Sequence, residues 1–362
     1  MNKKKVLIIS MTGGFGHIRA GTALLDYAKQ HLPNIEAEHI DAIEIDPPLK
    51  KYAVTVYGFI SKKFPFLWKV IYGFTLFSLV MRKVVALRGM YNHNIKNYII
   101  EKKPEAVICT NVVILPIIAP ILHKVLPATK IGVVITDYCG HPYYNIAFVD
   151  YYFVPTLQVQ KELEEAGVVK EKIVVTGIPI DPRFYIKENI QDLKLKYGIK
   201  NNLPIVLFIA SFKISKNDLR LVIGQLLKLT PNINLIFIAS GNEEFYTLAK
   251  NNFEGQERFL LVKWTNTIDE YMKLSSVVIS KAGGLTVSEC INLQKPLIMV
   301  NPIPGQEEYN AQFVVKNNLG VKVNNISEII AVVSKIILSS RNKQINLLEQ
   351  QNSCEKIFKA IL

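Results

Sequence analysis

The sequence predicts an α/β protein made of two doubly wound halves. Three observations support this. Short unbroken runs of Val, Ile and Leu recur along the chain, each followed by a polar or glycine-bearing turn and then by residues at helical spacing. That alternation is the mark of parallel strands buried on both faces and joined by crossover helices. The length, 362 residues, suits two domains. Finally, the alternation breaks once, at Gly177-Ile-Pro-Ile-Asp-Pro-Arg183, and a polar, lysine-rich stretch continues to Asn202. The expected division is 1–185 and 186–343, with a last helix over 344–362 packing back on the first half.

Lys5 to Ser10 reads as a buried first strand, Met11 to His17 as a glycine-rich turn, and Ile18 to Gln30 as a helix (Ala20, Ala23, Leu24, Ala28). The spacing Gly13-Gly14-x-Gly16, with His17 where a small residue belongs, is not the dinucleotide fingerprint G-x-G-x-x-G. It argues against NAD even with Asp41 available as a ribose ligand. His17 is either an ordinary polar first-turn residue or a neutral donor or acceptor aimed into a ligand crevice.

Residues 50–103 are unlike the rest. Eleven Lys and Arg face one acid, Glu101, so the segment holds ten of the chain's thirteen net positive charges. Lys62, Lys63, Arg82 and Lys83 are interleaved with Phe66, Trp68 and other aromatics. The uncharged run from Val70 to Met81 is 12 residues, against roughly 20 for a spanning helix. Cationic and aromatic residues around an aliphatic centre describe a segment lying on an anionic membrane surface. A basic-rimmed hairpin packed on the core has the same composition. Nucleic acid would use similar residue types, but the aliphatic content favours lipid and no nucleic-acid partner is expected.

Beyond Pro104, Glu105 to Thr110, Lys130 to Thr136, Asp150 to Pro155 and Ile173 to Thr176 read as strands. Asp137-Tyr-Cys-Gly-His141 follows the second of these. A carboxylate at the C-terminal end of a central strand is placed for proton abstraction, or it simply forms the turn. In the second half Pro204 to Ala210, Asn234 to Ala239 and Phe259 to Val262 are strands, and Asn217 to Leu229 is a helix. Then comes the richest stretch. A strand at Val277-Val278-Ile279 ends in Ser280-Lys-Ala-Gly-Gly-Leu-Thr-Val-Ser-Glu289, and Lys295 to Asn301 leads to Pro304-Gly-Gln-Glu-Glu-Tyr-Asn310. Gly283 and Gly284 at a helix start would let backbone N–H groups approach an anion, with Glu289, Gln306 and Glu307 able to bind hydroxyls. Ordinary turn glycines would look the same.

The four cysteines, Cys109, Cys139, Cys290 and Cys354, are scattered and mostly apolar in context, as buried thiols in a reducing compartment would be. Met1-Asn-Lys-Lys-Lys followed by a short strand is no signal peptide. The expected location is the cytoplasm, peripheral on the inner face of the cell membrane.

Several of these stretches together resemble the diacylglycerol glycosyltransferase and monogalactosyldiacylglycerol synthase family, relatives of the lipid II synthase. The matching motifs are Lys281-Ala-Gly-Gly-Leu-Thr-Val-Ser-Glu289, Pro304-Gly-Gln-Glu307, Thr136-Asp-Tyr-Cys-Gly-His141, Thr176-Gly-Ile-Pro-Ile180 and the Gly-Gly-x-Gly-His17 opening. The resemblance implies the GT-B fold, two Rossmann-like domains facing a cleft. It also implies transfer of a hexose from UDP-glucose or UDP-galactose to diacylglycerol with inversion. By the same resemblance Glu289 holds the ribose, Gln306 and Glu307 hold the hexose, and Gly283, Gly284, Leu285 and Thr286 present a helix N-terminus to the diphosphate. The backbone at Ile268 meets the uracil, Asp137 is the base, and His17 and His141 lie on the acceptor side. No metal or other cofactor is implied. One departure stands out: the loop after the second half's first strand, Ala210-Ser-Phe-Lys-Ile-Ser215, has no glycine, leaving Ser211 and Lys213 as substitute donors and the bulk of Phe212 to accommodate. The competing expectations are a polyprenyl-diphosphate-linked transferase, a sugar-nucleotide epimerase, and a non-catalytic membrane module that senses UDP-sugar.

Overall fold

A computed structural model describes residues 3–12, 15–46, 93–229, 232–339 and 352–362. Gly13, Gly14 and the lipid-facing candidates Lys62, Lys63, Phe66, Trp68, Arg82 and Lys83 lie outside these residues. Two compact units emerge: 1–182 with 304–309 and 350–362, and 183–303 with 310–349.

The first unit holds six parallel strands: β1 (Lys4–Ser10), β2 (Ile35–Asp41), β3 (Ala106–Cys109), β4 (Lys130–Val134), β5 (Tyr151–Val154) and β6 (Ile173–Val175). Their order across the sheet is β2-β1-β3-β4-β5-β6. β3 is buried along its whole length and β4 at all but Lys130, as apolar runs in a parallel sheet require. Helices α1 (Phe15–His31), α2 (Ala42–Ile45), α3 (His93–Lys102), α4 (Leu115–Val125) and α5 (Leu157–Glu165) belong to this unit.

The last helix of the chain (Ser353–Ile361) also packs here: Cys354, Ile357, Phe358 and Ile361 share one core cluster with Val6, Ile8, Leu24 and Phe153. Gly132 permits the approach, because a Cβ there would sit 2.9 Å from Ile361 Cδ1 and 2.7 Å from Phe153 Cε2.

The second unit repeats the plan. It contains helix α6 (Ile190–Lys196) and then β7 (Ile205–Ile209), α7 (Lys216–Leu227), β8 (Asn234–Ile238), α8 (Glu243–Phe253), β9 (Phe259–Val262) and α9 (Ile268–Leu274). These are followed by β10 (Val277–Ser280), α10 (Gly284–Asn292), β11 (Leu297–Val300), α11 (Gln306–Lys316, whose first turn through Tyr309 groups with the first unit), β12 (Gly320–Val323) and α12 (Glu328–Ser339). The order is β12-β11-β10-β7-β8-β9, all parallel.

Each sheet therefore reverses direction once, between β1 and β3 in the first and between β7 and β10 in the second. Ligands of open α/β sheets bind at the carboxyl ends of the strands flanking such a reversal. The four loops concerned include those that the motifs single out: Met11–His17, Thr110, Ala210–Ser215 and Ser280–Gly284.

Candidate active site

At the first reversal, His17 stands on the first turn of α1 and is clamped from both sides by strand ends. Its Nδ1–H donates to the carbonyl oxygen of Thr110 at 2.8 Å, with Thr136 Oγ1 at 3.1 Å. Its own carbonyl accepts from Thr110 Oγ1 (2.9 Å) and Ser10 Oγ (3.1 Å). Because a carbonyl can only accept, the proton must be on Nδ1, and Nε2 carries the lone pair. Burial holds the imidazole below its ordinary pKa, opposed by the charge of Asp137 and by the Thr110 carbonyl. His17 is therefore neutral at pH 7.

Asp137 lies one residue beyond Thr136, half-buried at the end of β4. The loop after it is drawn onto α5: Gly140 N–H donates to Glu162 Oε2 at 2.5 Å, and a Cβ on Gly140 would meet Glu162 Cβ at 2.6 Å. His141 Nδ1 accepts from the Tyr143 N–H at 3.1 Å, capping a short turn over Pro142–Tyr144. Its remaining nitrogen, Nε2, therefore carries the proton.

Two residues with no motif to announce them complete this corner. His39 Nε2 lies 2.7 Å from Ser10 Oγ, which is itself 2.7 Å from Thr110 Oγ1. The approach needs Gly21, whose Cβ would fall 2.6 Å from Ser10 Oγ and against the His39 ring. Asp41, the possible ribose ligand of a dinucleotide fold, is occupied otherwise. Its carboxylate caps α2 at Ile43 N–H (3.1 Å) and binds Thr12 through both backbone N–H (3.2 Å) and hydroxyl.

At the second reversal Ser211 Oγ and Ser280 Oγ are 3.1 Å apart, joining the ends of β7 and β10. The glycine-free loop resolves by strand-like alternation. Ala210, Phe212 and Ile214 are buried, while Ser211, Lys213 and Ser215 are exposed. Phe212 stacks on Phe208 (centroids 5.7 Å, planes 5° apart) inside the core. The bulk that the sequence left to be accommodated is therefore turned away from the loop's open side, and Ser215 caps α7 at Asp218 N–H (3.1 Å).

Gly283 is the N-cap of α10 and makes no side-chain capping bond. The first-turn N–H groups of Gly284, Leu285 and Thr286 have no intrahelical acceptor. Asn310 Nδ2 donates to the Ala282 carbonyl at 3.0 Å, tying α11 to this turn. Glu289 lies farther along α10 and is only 1% exposed. Gln306 and Glu307 form the first turn of α11.

Ile268 opens α9, a helix held by charges the sequence pattern would assign to solvent. Lys273 Nζ contacts Glu188 (2.5 Å) and Asp269 (3.1 Å), Arg183 is 3.6 Å from Asp269, and Glu270 accepts from Lys196 (2.5 Å) and Tyr197 OH (2.7 Å). Among the described residues, no three His, Cys, Asp or Glu converge as a metal site, and no helix is long and apolar enough to cross a membrane.

Two parallel sheets, each with its reversal loops bearing the distinctive residues, define an α/β protein of the GT-B class. Solved structures agree on the fold. UDP-GlcNAc 2-epimerase from Neisseria meningitidis bound to UDP-GlcNAc superposes with TM-score 0.62 at 13% identity, covering 99% of each chain. MurG from Acinetobacter baumannii gives 0.55 at 12%, covering 98% of this chain and 95% of that one.

Residues 17–180 match the family model of monogalactosyldiacylglycerol (MGDG) synthase, and 216–361 match the glycosyltransferase family 28 C-terminal domain. A processive diacylglycerol beta-glucosyltransferase of Bacillus cereus (strain B4264) is 31% identical over 263 residues, which is 71% of this chain and 65% of that relative, just under two thirds of its length. Through these matches the chain is similar to diacylglycerol glycosyltransferases and MGDG synthases over most of its length.

Proposed function

We propose that the protein transfers a hexose from UDP-glucose or UDP-galactose to diacylglycerol, with inversion, as a peripheral enzyme on the inner face of the cell membrane. The observation that carries this is the neutral, oriented His17 with Asp137 beside it at the reversal of one sheet, while the other sheet's reversal ends in a helix start with no side-chain cap. In this scheme Asp137 takes the proton of the acceptor hydroxyl as its oxygen attacks the anomeric carbon. The bond from that carbon to the UDP oxygen breaks on the opposite face, so a single displacement inverts the centre. The N–H groups of Gly284, Leu285 and Thr286 meet the charge on departing UDP, and no metal step is invoked. Glu289 binds the ribose, Gln306 and Glu307 bind the hexose, and the backbone at Ile268 meets the base. His17 Nε2 accepts a hydrogen bond on the acceptor side.

The inward-facing Phe212 removes the reason for a non-catalytic sensing module, because the loop needs no glycine to keep its outer side clear. The basic segment 50–103 supports a lipid acceptor at an anionic surface over a soluble one.

The test is UDP release by purified protein with vesicles containing diacylglycerol, with and without anionic lipid, for each donor. Lipid-dependent release with at least one donor, faster on anionic vesicles, is expected. No release with either donor would refute the transferase. Release only with a polyprenyl-diphosphate acceptor would replace the substrate, and equal rates on neutral vesicles would remove the anionic surface.

A further inference from the structure

We infer that His39 is a positioning residue for His17: its Nε2–H donates to Ser10 Oγ, which leaves the hydroxyl protons of Ser10 and Thr110 to hold the His17 carbonyl. This rests on the acceptor-side role given to His17 above and adds a residue that acts through it.

Strand register brings these residues together. β1 runs between β2 and β3, with Ile8 opposite His39 on one side and Ile108 on the other. Side chains alternate along each strand, so Ser10 and Thr110, two residues on from Ile8 and Ile108, share the face that carries His39. Helix α1 covers that face, since Ile8 and Ile108 share a core cluster with Ala23 and Leu24. His17 and Gly21 are one turn apart on the same side of α1. A Cβ on Gly21 would strike the His39 ring and come 2.6 Å from Ser10 Oγ. The helix therefore rests on the His39–Ser10 pair at Gly21. That contact sets the height at which His17, the next residue on this side toward the helix start, meets the strand ends.

Counting protons gives the direction of the bond. Ser10 and Thr110 are both 0% exposed, so their hydrogen-bond partners come from the protein. Each hydroxyl has a single proton. Ser10 Oγ lies 3.1 Å and Thr110 Oγ1 2.9 Å from the His17 carbonyl, which can only accept, and the two hydroxyls are 2.7 Å apart. Two protons thus already serve three contacts. Were His39 Nε2 to carry a lone pair, Ser10 would give its proton to the ring and one proton would remain for all three. With a proton on Nε2, the ring donates to Ser10 Oγ at 2.7 Å and both hydroxyls stay turned to the carbonyl. His17 is then held at two points, by its carbonyl and by its Nδ1–H on the Thr110 carbonyl at 2.8 Å. In this scheme His39 contacts no substrate and acts by fixing the imidazole whose Nε2 serves the acceptor side.

Imidazole nitrogen NMR of the labelled full-length protein at about pH 7.5 is expected to show His39 protonated on Nε2 and His17 on Nδ1. A His39 protonated on Nδ1 alone would overturn the inference. Turnover of UDP-hexose on diacylglycerol vesicles supplies a second readout. His39→Leu keeps the bulk and removes the donor; it should lower kcat about 10-fold, the upper scale for one hydrogen bond, and leave the KM for UDP-hexose within about twofold. His39→Gln places an amide N–H near the Nε2 position and should return kcat to within about threefold of the parent. Equal rates for the Leu and Gln variants would refute the positioning role. If His39→Leu does not fold, His39→Asn takes its place, because the shorter amide reaches only the Nδ1 position. If the parent transfers no hexose, the proposed reaction falls, and hydrogen exchange of the His17 Nδ1–H decides the positioning on its own. Faster exchange in His39→Leu than in His39→Gln supports it, and equal exchange overturns it.

Discussion

Lys273→Met tests the charge cluster beneath α9. Lys273 is 7% exposed and sits between Glu188 at 2.5 Å and Asp269 at 3.1 Å; Asp269 itself is 2% exposed. Methionine keeps most of the stem volume and removes the charge, so the loss is electrostatic rather than a cavity. Removing one partner of a buried pair costs about 3–5 kcal/mol, because the remaining charge is left without compensation. Two features place this case at the low end. Glu188 is one-third exposed and can turn to water, and Arg183 is 3.6 Å from Asp269. The expected loss is therefore about 3 kcal/mol in the unit that contains 183–303, read as a lower urea midpoint with unchanged slope. In a Trp68→Phe background, emission from Trp264, the remaining tryptophan, reports that unit separately from the other. Adding Asp269→Asn should restore at least half, since the orphaned carboxylate is then gone. A Lys273→Met loss below about 1 kcal/mol, the scale of an exposed pair, would refute the reasoning and make the cluster a solvated one.

Two further outcomes follow from the first unit. Asp137→Asn should lower kcat by about 10² to 10⁴, the range for a general base, while UDP binding stays within about threefold because the proposed nucleotide groups belong to the other unit; unchanged turnover would remove Asp137 as the base. Stability should fall on acidification below about pH 6.5, the ordinary histidine value. Burial holds both His17 and His39 below that value, with Asp137 and Asp41 opposing, so between the unfolded and folded pKa values the unfolded chain binds more protons. Scanning calorimetry from pH 7.5 to 5.5 should show the first unit's melting temperature falling, and less so in His39→Gln. A flat profile would show that neither ring is buried in its neutral form.

Much of the strand content was legible because a parallel sheet buries both faces of its strands, leaving unbroken runs such as Ile205-Val-Leu-Phe-Ile209. β12 was not: Gly320-Val-Lys-Val323 is short and partly exposed, and it pairs because Gly320 has no side chain to strike the Leu297 backbone. The site was legible by loop but not by partner. No local signal tells that Ser10 meets His39 across 29 positions, or that the Thr110 carbonyl orients His17 across 93. Nothing local in Ile268-Asp-Glu-Tyr-Met-Lys-Leu274 tells that its charges are buried; they are met by Arg183, Glu188, Lys196 and Tyr197. Phe212 could have been placed from the sequence, because Ala210-Ser-Phe-Lys-Ile-Ser215 alternates apolar and polar with period 2 and so continues the pleat of β7.

Strand order explains why so few loops matter. β1 pairs with β2 on one side and β3 on the other, so the chain leaves the β1 end toward one edge and returns beside it at β3. Loops at that gap diverge and leave room for a ligand, while the strand ends on either side aim their hydroxyls and carbonyls at the first residues of α1. His17 receives four such groups from three residues, Ser10, Thr110 and Thr136, at the ends of β1, β3 and β4. Thr136 links the end of β4 to this ring. Its hydroxyl reaches the His17 ring, so the next residue in the chain, Asp137, is carried close enough for its charge to act on that ring. A carboxylate and a neutral imidazole placed in this way need no shared motif or contiguous sequence, because neighbouring parallel strands in register bring them together.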